Sequence, residues 1–151
     1  MDVAAWLLDN RSDVLDEAVA SLGRTHLTHY ESAGETVTRE RLDELFSLVV
    51  STVQTRDLAR MSTFIEGLAT DRFNEGFSLA EVQTAMNSLE ETMWHRTVDA
   101  VPTDELAEAI GLLSTVLGFA KDTLARTWVS LATKRHVPSL DLSALFAGGD
   151  A

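Results

Sequence analysis

Four histidines and a twofold excess of carboxylates over basic groups are the residues here best suited to chemistry, and metal ligation is the first chemistry they suggest. Di-iron carboxylate bundles place a glutamate three residues before each ligating histidine. Ahead of His26, His29, His95 and His136 stand Gly23, His26, Thr92 and Thr133, so that motif is absent, as is His-Glu-x-x-His. His26 and His29 are spaced to share one helix face. With Glu31 they could hold a metal, but the flanking threonines make a solvated pair at a helix end the plainer reading, and no metal site is expected. His95 is the other candidate. Beside Trp94, with Met86 and Met93 on the same helix, it has the setting of a proximal ligand to haem or another tetrapyrrole; a half-buried packing histidine is the plainer reading.

Other chemistries find less support. With no cysteine there is no disulfide, thiolate nucleophile, zinc-thiolate site or covalent haem attachment. No Gly-x-Ser-x-Gly, Gly-x-Gly-x-x-Gly or phosphate-binding loop occurs. Glu90 and Glu91 are adjacent, so on a helix they diverge and cannot share a substrate. The residues argue against an enzyme. Net charge is −12, and a body so acidic repels nucleic acid and anionic membrane surfaces. No basic recognition helix, signal peptide or membrane-spanning run is visible, so the expected setting is cytoplasmic. The methionines and aromatics therefore serve either a core or an apolar pocket. Phe64, Met86, Met93, Trp94 and His95 are the pocket candidates, and Trp6, Phe119 and Trp128 the candidates for a dimer interface.

The elements that position these residues are helical throughout. At 151 residues with 45% hydrophobic content, the chain has the size and composition of one domain with its own core. Residues 11–30 carry Val14, Leu15, Ala18, Val19 and Leu22 on one side, with Asn10 as candidate N-cap. Ser32 and Glu35 have capping-box spacing and open a helix with Leu42, Leu45, Phe46, Val49, Val50 and Val53 on one face. A third helix spans about 57–74 and ends at Gly76. Ser78 and Glu81 form a second capping box ahead of Leu79, Val82, Met86, Leu89 and Met93. Pro102 ends that helix, and the last begins at Thr103 and runs toward Arg135, with two apolar faces that make it either central or shared with a partner. Its end, with Lys121, Arg126, Lys134 and Arg135, is the one locally basic stretch; such residues complement a helix dipole or dock a partner. The reading is all-α: five main helices and a short N-terminal one in a single domain over 1–138, with 139–151 a short apolar tail or truncated linker.

One stretch is more specific. Asp71 to Gln83, followed by Leu89 to His95, resembles the N-terminal sensory domain of the RsbR family, the RsbT co-antagonists of the bacterial stressosome, in its RsbRD form. Arg72, Gly76, Phe77, Ser78, Leu79, Glu81 and Val82 match that family's pattern. The order of Trp6, the acidic helix leading to Tyr30 and the long last helix also agrees. The resemblance implies a globin-like bundle without haem, a homodimer, and a sensory or regulatory input module. It further implies a downstream STAS, kinase or helix-turn-helix output, with the signal leaving through the last helix.

Overall fold

The computed structural model describes residues 1–134, 136–138 and 140–148. Among these there are eight helices and no strand. Five are long: α2 (Arg11–Gly23), α4 (Glu35–Thr55), α5 (Ala59–Asn74), α6 (Leu79–Ala100) and α7 (Thr103–Thr133). Three are short: α1 (Val3–Asp9), α3 (Thr28–Ala33) and α8 (Ser143–Gly148). The all-α bundle expected from periodicity is present, with its five main helices and short N-terminal one.

The packing follows from the stripes. On α4, Leu42, Leu45, Phe46, Val49, Val50 and Val53 are all buried. That face meets α1, α2, α3, α5, α6 and α7, so α4 is the hub of the bundle. The most extensive pairings beyond it are α5 with α7, α2 with α6, and α6 with α7. Phe46, Met61, Leu89, Met93 and Leu117 are enclosed completely where these helices converge.

Several local signals resolve differently from expectation. Asn10 does not cap α2; its side-chain amide donates to the Trp6 carbonyl at 2.8 Å and closes α1, whose own N-cap is Asp2, accepting from the Ala5 N–H. The helix expected over 11–30 breaks at 24–27. Thr25 donates its hydroxyl to the Leu22 carbonyl, and His26 takes a left-handed φ of 53°. His26 and His29 therefore do not share a helix face. Ser32 lies inside α3, and α4 starts after Gly34, whose φ of 89° reverses the chain with no side-chain cap. The Ser32–Glu35 spacing is thus not a capping box here. Lys134, with φ 58°, ends α7; Arg135, where the helix was expected to stop, lies outside the described residues.

Two expectations are met in full. At the end of α5 the Phe77 N–H donates to the Arg72 carbonyl (3.0 Å) and the Gly76 N–H to that of Phe73 (3.2 Å). This is a Schellman closure, and it needs the positive φ of 89° that Gly76 adopts. Ser78 and Glu81 then make both bonds of a capping box at the start of α6. The tail also docks: Phe146 of α8 is buried, with the Arg56 guanidinium 5.3 Å from its ring centre.

Candidate functional site

The Schellman closure aims Phe77 inward, and a polar cluster assembles around its ring. His29 of α3 stacks on it at 4.8 Å between ring centres, and Tyr30 meets it edge-on at 5.1 Å. The guanidiniums of Arg41 (α4) and Arg72 (α5) lie 5.8 and 5.9 Å from the same ring centre. Both reach the Glu75 carboxylate, at 3.5 and 3.4 Å. One aromatic ring thus gathers side chains from α3, α4 and α5 at the α5–α6 turn.

Glu81 ties this cluster to the first part of the chain. Its carboxylate accepts from the Ser78 N–H, from the His29 N–H at 3.2 Å and from His29 Nδ1 at 2.8 Å. Burial opposes ionisation of Glu81, but these donors outweigh it and hold the carboxyl below its usual value. An ionised Glu81 can only accept, so Nδ1 carries the proton in this bond. Tyr30, the chain's single tyrosine, has its phenol pushed up to about 12 by burial, a rise that Arg72 and Arg41 partly offset.

Tyr30, Arg41 and Arg72 of this cluster also line a cavity of about 30 Å³. Its polar rim is Tyr30, Thr38, Arg41 and Arg72; Leu42, Leu68 and Met86 are among its apolar walls. Tyr30 and Thr38 also border a more open cleft of about 250 Å³ against Val19, Leu22 and Leu27. Arg41 Nη1 is buried and has no hydrogen-bond partner.

The five pocket candidates are not brought together. Met86 lines the small cavity, whereas Met93 is fully enclosed in the core. Phe64 is half-buried in a separate depression with Leu48 and Arg60. Trp94 and His95 lie on the solvent side of α6, their rings edge to face at 4.9 Å, with His95 Nε2 3.5 Å from Glu91. An exposed histidine on the face opposite Met86 and Met93 does not fit a buried haem. Of the interface candidates, Trp6 is half-buried, while Phe119 and Trp128 are enclosed within one copy, Trp128 against the Phe73 ring at 5.5 Å. His26 pairs with Glu31 in solvent, remote in role from the His29–Glu81 bond, and no metal-holding group of three ligands occurs among the described residues. The sequence reading did not place Arg41 or Tyr30 in a site; the usable signal was the single tyrosine, four residues before Gly34 at the α3–α4 break.

A second surface feature runs along the α6–α7 seam. Trp94 (42% exposed) and Val98 stand out to solvent there. Lys121 of α7 bridges to Glu90 (2.5 Å) and Asn87 (3.3 Å) of α6. Trp94 is one turn from Glu90 and Gly118 one turn from Lys121, so both flank the bridge. Gly111, Ser114 and Gly118 leave the α7 side of the seam flat and exposed. Ion pairs nearby join Glu90 to Lys121 and Asp122 to Arg126, and His95 lies 3.5 Å from Glu91. No helix among the described residues is long and apolar enough to cross a membrane.

Against known proteins, the family model for the RsbT co-antagonist protein rsbRD N-terminal domain matches residues 12–136. That span covers the cluster around Phe77 and α2 to α7 except for Arg11. No curated protein and no solved structure matches the chain. The chain belongs to the RsbRD N-terminal domain family, a family of stress-signalling regulators.

Proposed function

We propose that this member of the RsbRD N-terminal domain family is a non-catalytic, cytoplasmic input domain. It acts as a homodimer and passes a change in helix packing along α7 to a STAS, kinase or helix-turn-helix output. The family match supports the regulatory class. The observation that carries the dimer is the α6–α7 seam. Trp94 and Val98 hold apolar surface in water; since each is already more than half buried, covering the rest against a second copy is worth about 0.5–1.5 kcal/mol apiece. In a chain of net charge −12, two copies repel wherever acids face each other. The seam lessens this because Glu90 and Asp122 are paired with Lys121 and Arg126. Its glycines let a second helix pair approach closely. A dimer through the seam places α7 in the interface along its length, so that a shift in α5 or α6 is felt by both copies.

Sedimentation of the purified chain tests this. The expected species is twice 16.5 kDa, falling to 16.5 kDa when Trp94→Glu and Val98→Glu are combined. Both side chains are exposed in one copy, so the variant keeps its fold. A wild-type chain sedimenting at 16.5 kDa would overturn the dimer.

A further inference from the structure

We infer that the segment following α7 is a releasable strap. Docked, it runs back along α7 and encloses Phe146 at the corner between α4 and α5; released, it exposes Phe146 and Leu142 beside Leu140 and Leu145, which already face solvent. The inference rests on the input-domain reading and names the element in which a signal carried by α7 ends.

The docked path is set by contacts at both ends. Lys134 closes α7 in the left-handed region and turns the chain back. The Val137 N–H then donates to Ser130 Oγ at 3.0 Å, and Arg126 Nη1 donates to the Pro138 carbonyl at 2.6 Å. Asp141 caps α8 by accepting from the Ser143 N–H at 3.1 Å, and Phe146 ends 4% exposed against the Arg56 guanidinium. Leu112 lies about five helical turns before Ser130, hence on the same side of α7, and it shares a cleft with Arg56. The strap therefore returns from Arg126 toward the level of Leu112, about 20 Å at 1.5 Å per residue.

Three features make this docking reversible. Its hold is light: two hydrogen bonds at the start and one enclosed ring at the end, set against the freedom lost by the segment between them. Its helix has six residues, well short of the roughly 12–15 at which a helix becomes even marginal without tertiary support, so α8 melts once Phe146 leaves. Its apolar residues are also poorly used. Leu140 is 45% and Leu145 71% exposed, and Leu142 is only partly covered, whereas a segment serving to seal the bundle would turn these inward. Arg126 joins the strap to the α6–α7 seam. Its Nε holds Asp122 at 2.8 Å on the seam side while its Nη1 holds Pro138, so packing at the seam reaches the strap through one guanidinium.

The test is amide hydrogen exchange of the full chain, read by NMR. The reporter is the Phe146 N–H, which donates to the Leu142 carbonyl at 2.9 Å. In the wild type it is expected to exchange about tenfold or more faster than the interior amides of α4 and α7, because the strap opens without the bundle. Phe146→Ala and Arg126→Ala, which remove the two ends of the hold, are each expected to speed the amide at position 146 about tenfold further, with the α4 and α7 amides unchanged. A strap that exchanges only together with α4 and α7 overturns the inference. So does a wild-type rate equal to that of either variant, or loss of protection throughout the bundle in both. The outcome is separable from the dimer reading. A dimer whose strap exchanges only with the core removes this inference alone, and a monomer whose strap opens separately removes the dimer alone.

Discussion

Gly67 and Gly76 allow one chemical change, the addition of a methyl group, to be made with opposite expected signs. Gly67 sits in the interior of α5, exposed, and an added Cβ meets nothing within 4 Å. Alanine there gains helix propensity and loses unfolded-state entropy, so Gly67→Ala should stabilise by about 0.5–1 kcal/mol. Gly76 holds a φ of 89° as the left-handed residue of the Schellman closure. A Cβ there finds only His29 Nε2, at 3.6 Å, an ordinary contact, so the cost is backbone strain rather than collision. That strain amounts to about 1–2 kcal/mol. If the closure instead opens to relieve it, Phe77 loses its aim and the stacked rings loosen as well. For a chain of this size each kcal/mol moves the melting temperature by roughly 2–4 °C. Thermal melts at one fixed protein concentration should therefore rise by about 2–3 °C for Gly67→Ala and fall by about 3–6 °C for Gly76→Ala. Two shifts of the same sign, or a neutral Gly76→Ala, would refute the assignment of Gly76 as the left-handed closure on which the site's geometry rests.

Two further outcomes follow from the titratable groups. Glu81 has a carboxyl held below its usual 4.5, so its contribution to stability is present above that value and is lost as pH falls through the lower folded one. Urea midpoints of wild type and Glu81→Gln should differ at neutral pH and converge on acidification; a constant gap would mean that the bonds to Ser78 and His29 do not depend on its charge. Tyr30 is the only tyrosine, and its ordinary pKa of 10 is raised to about 12. The unfolded chain loses that proton first, so stability should fall as pH rises from 10 to 12, with tyrosinate absorbance appearing near 12 in the folded protein. A midpoint at 10 would place the phenol in solvent.

The α4 stripe was legible because six apolar residues at helical spacing have one efficient use, burial, and that use depends only on the helix period. The Ser78–Glu81 box was legible for a similar reason, since both its bonds close within four residues. Ser32 and Glu35 have the same letters at the same spacing, yet Gly34 lies between them and takes the turn, leaving Ser32 in a helix that ends. The pair His26 and His29 misled in the same way: helical spacing was read across a segment whose backbone leaves the helix at Thr25 and His26. Trp128 and Phe119 looked like spare apolar surface on a two-faced helix. In the bundle both are enclosed, Trp128 against Phe73 of α5, and it is the glycine-lined edge of α7 that stays open.

By itself, the sequence determined the helical class, the single core, the Ser78–Glu81 capping box, the helix end at Gly76 and the family motif running through them. These are local properties, set by residues within a turn or two of one another. Only the tertiary structure decided that Arg41, Arg72, Tyr30 and His29 meet over one phenylalanine, and that Glu81 serves a histidine 52 residues away as well as its own helix. Those contacts depend on how α3, α4 and α5 cross. Crossing is settled by the packing of all their buried side chains together, which no single spacing encodes.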